Sequence, residues 1–405
     1  MELYLQFGWQ MTPTCLRLLG EWGAGTVILS PRDLDPRHLG DAAERIRAAG
    51  GKVLVDPQLY TPHETNFRLS KHSFWPGCTG VCDVSAPEWG RTIRELRRLN
   101  TSLGAHMQLL PGVICSRPED LAGWRTQLLR VAEADDSEPA DSLMTVAVGH
   151  QAMADTDTVH AILDTLDETP YQNFYVVPEY PPGSFFVGDP WWLSNLLDLA
   201  AGCALKKGTV VVGYCAQQML VLAASGVTAV ASGTFQNLRQ FGLQRFRNPE
   251  SDTKQRAKWY YSPPALSEYK VTYLDVAARR GVLQTLHRGP GFPTTTAERL
   301  FTAPAPMSAP FSYPDAYEHF LICLRHQAMN ATLSTFSLTV ATLEEELDTA
   351  LQVADSAAYA GVRGEHKQFG AGAHAASMSA LAALRADRMP ILSRAWPELP
   401  VEKSM

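Results

Sequence analysis

The chain has 405 residues, a formal net charge of −7, and 45% hydrophobic against 19% charged residues. That balance describes a globular protein able to bury a large core. It excludes a membrane-spanning chain, since no apolar run reaches the ~20 residues such a helix needs. Seven scattered cysteines suit reduced thiols better than a disulfide framework. The opening Met1-Glu2-Leu3-Tyr4-Leu5 lacks the basic start of a signal peptide, so a cytoplasmic protein with no membrane partner is expected.

In chain order, strands are predicted over Glu2–Phe7, Thr26–Ser30, Lys52–Asp56, His106–Leu110, Leu143–Val148, Asn173–Pro178, Thr209–Gly213 and Thr228–Ser232. Amphipathic stretches fall between them, including Pro36–Ala49, Glu88–Leu99, Pro118–Ala134 and Asp157–Asp167. Eight β-α alternations within residues 1–235 predict an α/β fold, a (β/α)8 TIM barrel. An open doubly wound sheet also alternates, but Gly8-Trp9-Gln10-Met11-Thr12 after the first strand is no Gly-rich dinucleotide turn. A basic, aromatic-rich segment and linker follow over 236–310, and a C-terminal helical extension over 311–405.

Charge is unevenly spread. Between Gln236 and Pro290 ten Lys/Arg face four acids, a local charge of +6 that leaves −13 for the remainder. Such polarity points to a polyanion, with Arg239, Arg245, Arg247, Lys254, Arg256 and Lys258 as candidate contacts to a nucleic-acid backbone. Lys254-Gln255-Arg256-Ala257-Lys258-Trp259-Tyr260-Tyr261 also sets cations beside aromatics, as phosphate neutralisation with base stacking requires. A solvated basic surface packing its aromatic side on the barrel would carry the same pattern.

In Gly51-Lys52-Val53-Leu54-Val55-Asp56-Pro57-Gln58-Leu59-Tyr60 an apolar strand ends on one carboxylate. The C-terminal end of a barrel strand is where chemistry sits, so Asp56 is the leading catalytic candidate. Glu179, in Val177-Pro178-Glu179-Tyr180, stands at the end of the sixth predicted strand and is the second catalytic candidate, since paired acids at one mouth divide acid and base roles. Gln58, Tyr60, Trp9, Arg32, His150, Tyr180 and Phe185 are candidate substrate-binding residues on the same rim. The long loop from Tyr60 to Pro87 carries His63, His72, Cys78 and Cys82, but their spacing matches no common zinc pattern, and no metal or other cofactor is expected.

The segment ending in Asp56-Pro57-Gln58-Leu59-Tyr60 resembles, in position, the Asp-Ser-Gly-Gly-Phe/Tyr-Gln type motif of the tRNA-guanine transglycosylase superfamily and its DNA-acting relatives. Val212-Gly213 through Gly226-Val227-Thr228-Ala229-Val230-Ala231-Ser232 is similar to that family's Gly turn, helix and Gly-Val-Asp-x-Phe-Asp segment, and Cys323-Leu324-Arg325-His326 echoes a Leu-Arg-His run. The departures narrow what the resemblance implies. The family's nucleophilic aspartate aligns with Ala231, which cannot hold a sugar covalently, and the Cys-x-Cys-x-x-Cys zinc site is missing ahead of Cys323. A lost nucleophile on this scaffold implies hydrolysis rather than base exchange. The expected activity is that of a DNA glycosylase that flips a modified base, releases it and leaves an abasic site, as in phage defence, with Asp56 promoting the reaction. The alternatives are a transferase that inserts a deazaguanine into DNA or tRNA with Glu179 as nucleophile, an inactive nucleic-acid-binding module, and a barrel hydrolase acting on a small metabolite.

Overall fold

The computed structural model describes residues 1–62, 68–77, 83–183, 185–246, 257–287, 289 and 292–404. Strands β1 (Glu2–Gln6), β2 (Gly25–Leu29), β3 (Gly51–Val55), β4 (Gln108–Leu109), β5 (Ile114–Cys115), β6 (Ser142–Val148), β7 (Phe174–Pro178), β8 (Val210–Val212) and β9 (Ala229–Ser232) form one curled sheet. Its order is β3-β2-β1-β9-β8-β7-β6-β4, every pairing is parallel, and β5 adds to β6. The two ends of that order meet: the His106 N–H donates to the Val53 carbonyl at 3.1 Å, and the Ile114 N–H to the Tyr60 carbonyl at 3.0 Å. The sheet is thus a (β/α)8 barrel with helices after it.

Helices α1 (Thr12–Trp22), α2 (Pro36–Ala48), α3 (Ala86–Leu103), α4 (Leu121–Ala134), α5 (His150–Met153), α6 (Thr156–Asp167) and α7 (Pro190–Ala204) lie between the strands. Their starts are chemically marked. Asp35, Asp155 and Asp189 accept from backbone N–H groups of the first turns of α2, α6 and α7. Two elements differ from the sequence reading. The fourth strand is cut short because Pro111 and Gly112 interrupt it, and a Cβ on Gly112 would lie 2.6 Å from the Thr145 carbonyl. After β8 the helix is a 3-10 run, Gln217–Ser225, with all nine residues buried. C-terminal helices cover that run, so it has no face to give to water.

Period-two alternation sorts each strand's side chains. Leu3, Leu5, Val27, Leu29, Val53 and Val55 pack under the helices. Tyr4, Ile28, Leu54, Tyr175, Val211, Ala229 and Ala231 fill the barrel interior. One step further along the same inward phase come Gln6, Ser30 and Asp56, each 0% exposed, so the interior's upper layer is polar.

Past the barrel, β10 (Trp259–Ser262) and β11 (Ser267–Lys270) make an antiparallel hairpin. Helices α8 (Val271–Arg279) and α9 (Arg299–Thr302) lead to α10 (Tyr313–Ala331), α11 (Phe336–Tyr359) and α12 (Ala371–Ala395). Helix α10 packs on β1 and α1, and α12 on α7. A buried ion triad ties these parts together. Glu268 Oε1 of β11 accepts from Arg239 Nη1 and from Lys367 Nζ, each at 3.1 Å, and the Arg239 guanidinium lies 3.4 Å from the Phe320 ring centroid. Burial pushes the Glu268 carboxyl up, yet Lys367 and Arg239 together hold it below its ordinary range. Replacing Glu268 by Ala strands two cations in a dry interior, so we expect urea unfolding of Glu268→Ala to show a loss of about 3–5 kcal/mol. A loss below ~1 kcal/mol, the value of an exposed pair, would refute the anchoring role.

Candidate functional site

Asp56 follows β3 in the phase of Leu54, and its side chain points to the barrel axis instead of the open mouth. Its carboxylate is fully enclosed. Oδ2 accepts from the hydroxyls of Tyr60 at 2.7 Å, Tyr214 at 3.1 Å and Tyr175 at 3.3 Å, while Oδ1 accepts from the Gln58 N–H at 3.0 Å. Above it, Phe241 packs against Tyr60 and Tyr214 with ring centroids 4.9 and 5.2 Å apart, and Phe246 lies 5.4 Å from Tyr60. Burial raises the Asp56 carboxyl to about 6, and the four donors only partly offset that rise. Burial, together with the Asp56 charge, in turn pushes all three tyrosines above their ordinary range.

Gln58 connects this carboxylate to the rim. It has φ 57°, an uncommon conformation for a residue with a Cβ. Its Nε2 donates to Tyr214 Oη at 3.2 Å, and its Oε1 accepts from Ser30 Oγ and the Arg32 N–H, each at 3.1 Å. Ser30 Oγ lies 2.8 Å from Asp33 Oδ2, and Arg245 Nη2 reaches the same oxygen at 2.5 Å. Arg32 Nη1 donates to Asp33 Oδ1 at 3.2 Å. A continuous hydrogen-bonded path therefore runs from Asp56 through Tyr214, Gln58 and Ser30 to Asp33.

Asp33 is the carboxylate nearest open space, although its side chain is only 4% exposed. At the C-terminal end of the strands lies a cavity of about 1050 Å³, bounded by Trp9, Arg32, Asp33, Arg68, Tyr180, Phe185, Phe235, Phe241, Arg245 and His366. Three guanidiniums and five aromatic side chains surround one carboxylate. Trp9 is 56% exposed, and the Arg68 guanidinium sits 5.9 Å from its ring centroid. Arg245 Nε is one of several buried side-chain polar atoms with no hydrogen-bond partner among the described residues.

The structure brings Trp9, Arg32, Tyr180 and Phe185 to this cavity. Asp56 and Tyr60 sit beneath it, and Gln58 links the two levels. Glu179 and His150 form a separate pair: Glu179 Oε2 accepts from the His150 N–H at 3.2 Å and lies 3.1 Å from its Nδ1, while Oε1 accepts from the Leu243 N–H at 3.3 Å. With three polar neighbours and a side chain only 13% exposed, Glu179 pins the segment after β9 to the end of β7.

The proposed phosphate-backbone contacts need correction. Arg239 is buried, donating to the Gly233 and Thr234 carbonyls and to Glu268. Arg245 is 8% exposed and spent on Asp33 and the Asn237 carbonyl. Neither can grip a backbone at the surface, because each is buried against a carboxylate, Arg239 on Glu268 and Arg245 on Asp33. Lys258 is exposed beside β10, whereas Arg247, Lys254 and Arg256 lie outside the described residues. His72, with Nε2 at 2.9 and 3.1 Å from the Pro31 and Leu34 carbonyls, is a packing residue; His63, Cys78 and Cys82 lie outside the described residues. Among the described residues no group of His, Cys, Asp or Glu is placed to hold a metal ion, and no helix is long and apolar enough to cross a membrane.

Sequence reasoning named Arg32 but not its neighbour Asp33, and it missed Arg68, Phe235 and His366. The Asp33 signal was present, because Ser30-Pro31-Arg32-Asp33 follows a strand end just as Asp56 does. Arg68 and His366 had none, standing in a long loop and in the C-terminal extension.

No family model and no curated protein matches the chain. Among solved structures it is similar to a D-psicose 3-epimerase determined in the presence of D-fructose, with TM-score 0.31, 9% identity, and coverage of 59% of this chain and 89% of that one. It is also similar to a protein provisionally described as a dihydrodipicolinate synthetase from Pseudomonas aeruginosa, with TM-score 0.35, 14% identity, and coverage of 81% and 99%. Likenesses at these scores carry no argument about this chain.

The enclosed carboxylate makes stability depend on pH with a definite sign. In the unfolded chain Asp56 releases its proton near the ordinary 3.8, while the folded protein holds it up to about 6. Stability from this group is complete below pH 3.8 and is lost as pH rises through 6. We expect Asp56→Asn to flatten a fall of about 3 kcal/mol across that window, read as unfolding free energy at pH 4, 5, 6 and 7. An unchanged slope in the variant would show that Asp56 is not the group responsible.

Proposed function

We propose that the strand-end cavity takes one nucleotide of a nucleic acid, DNA in preference, and that the protein hydrolyses its N-glycosidic bond. The observation that carries this reading is the set Arg32 and Arg68 with Trp9, Tyr180, Phe185 and Phe235 around the Asp33 carboxylate, whose buried counter-ion is Arg245. A nucleotide is an anion joined to a flat ring. Guanidiniums meet the first, and aromatic faces replace the stacking that a flipped base gives up, at about 1–3 kcal/mol per base.

Cleaving the bond places positive charge on the sugar and negative charge on the departing base. Asp33 is the carboxylate beside the cavity that would stabilise the sugar cation and steer water to C1′. The water's hydroxyl joins C1′ and its proton leaves with the base, so an abasic site and a free base result. Asp56 acts from behind as a positioning residue, since its hydrogen bonds orient Tyr214 and Gln58, and through them Ser30 and Arg32. The resemblance to the transglycosylase superfamily is consistent with hydrolysis, because position 231 offers only Ala to a covalent intermediate. A second reading, a binding module without chemistry, is favoured by one observation: neither Asp56 nor Glu179 is among the residues lining the cavity.

The deciding measurement is mass spectrometry of small molecules released from phage DNA carrying modified cytosines. Wild type is expected to release a free base, and Asp33→Asn to do so at least about 100-fold more slowly while still binding the DNA. DNA binding with no base released by wild type from any modified or unmodified DNA would overturn the glycosylase and leave the binding module.

A further inference from the structure

The central cavity is not isolated. A second, of about 600 Å³, opens between the loops after β1 and β2 and helix α2, and it shares Trp9, Arg32, Asp33 and Arg68 with the first while adding Arg45 and Lys71. A third, of about 520 Å³, opens toward the β10–β11 hairpin; it shares Phe235, Gln236 and His366 and adds Trp259, Lys270 and Lys367. The three therefore adjoin in a row across the barrel mouth. Each is the size of a small-molecule pocket, roughly 300–1,000 Å³, and none is on the scale of a duplex groove.

The lining has a repeating character. Eight Lys/Arg and five Asp/Glu border the row, a surplus of three cations, with Arg239 and Lys367 paired to Glu268, Arg245 to Asp33 and Lys270 to Glu365. An aromatic ring stands at each junction, Trp9 at the first and Phe235 at the second. Phe235 is braced edge-on by Tyr317 at 5.3 Å, and Trp259 in the third cavity has Lys270 and Lys367 ammonium groups 5.5 and 4.8 Å from its ring centroid. Cations in succession with flat rings between them match a single strand, whose phosphates recur once per nucleotide and whose bases can stack on the partitions.

Resting on the nucleotide reading above, we propose that the three cavities form one track for a single-stranded nucleic-acid segment of at least three nucleotides. The strand enters past Lys71, places one nucleotide over Asp33 between Trp9 and Phe235, and leaves beside Lys270 and Trp259. The substrate is thus a polymer, and a free nucleotide would fill only the central cavity of the three.

The test is fluorescence anisotropy with labelled single-stranded oligodeoxynucleotides of three and nine nucleotides, with a mononucleotide as competitor. Affinity is expected to rise by at least about 30-fold from mononucleotide to nine-mer, given ~1–3 kcal/mol per added stacked base. Lys71→Glu at one end and Lys270→Glu at the other, each checked for native circular dichroism, should weaken the nine-mer about tenfold and lower the salt slope by roughly one. Equal affinity for mononucleotide and nine-mer, or a nine-mer indifferent to both substitutions, would overturn the track. Base release without length dependence would sink the track alone, and length-dependent binding without base release would sink only the glycosylase.

Discussion

The ion pair between Arg245 and Asp33 joins parts of the chain 212 residues apart, and the shape of the barrel mouth depends on it. Both side chains are 4% exposed, so each holds the other's charge away from water. The pair draws the segment after β9 back across the strand ends. That closure sets Phe241 and Phe246 on Tyr60 and Tyr214 and so seals Asp56 below. It also makes one wall of the central cavity. A pair kept for stability alone is a weak device, because desolvation cancels much of its attraction. Here the pair also shapes the wall of the cavity that both residues line.

Beneath that closure, the polar upper layer acts as a unit. Asp56, Tyr214, Gln58, Ser30 and Asp33 are joined by hydrogen bonds of 2.8–3.2 Å, so the orientation of each hydroxyl or amide is fixed by the next. In a low-dielectric interior such chains are stiff when every member is satisfied. Gln58 is the member under strain, held at positive φ so that its amide can face Tyr214 on one side and Ser30 on the other. Small residues make room for the layer: a Cβ on Gly213 would lie 2.6 Å from Tyr175 Oη, and one on Gly233 would lie 2.5 Å from the Gln6 carbonyl.

The barrel was legible because apolar runs of four or five residues, each closed by a turn signal, are a local property of the chain. The direction of Asp56 was equally legible in principle, since Leu54 and Asp56 share a phase and Leu54 is plainly core. Ending a strand puts a residue near the mouth, but parity decides whether it looks outward. What could not be read locally was which charges cancel. Arg239 and Arg245 contribute to a basic segment in sequence, yet Glu268 and Asp33 meet them only after folding. Glu268 is already among the four acids behind the +6, so of these two pairs only Arg245 with Asp33 lowers the segment's charge, to +5. The cations on the central cavity come from three separate loops, Arg32 after β2, Arg68 after β3 and Arg245 after β9, and no window of the chain holds them together.

Position 231 bears on which chemistry this architecture permits. Ala231 faces the barrel interior, paired in register with Tyr4 on the neighbouring strand. A carboxylate there would join Asp56 inside one enclosed space, where two like charges cannot both stay ionised without a cation between them. With Ala at that position the interior keeps a single acid that four donors can satisfy. Charge that must meet a ligand is moved outward to Asp33, where Arg32 and Arg245 hold it against the cavity. The division follows from dielectric alone. On the proposed reading the buried acid sets geometry, while Asp33, its side chain only 4% exposed, borders the space where a charged sugar would be stabilised. With Ala at position 231 the interior offers that sugar no covalent partner, so the proposed cleavage would pass through water at the rim.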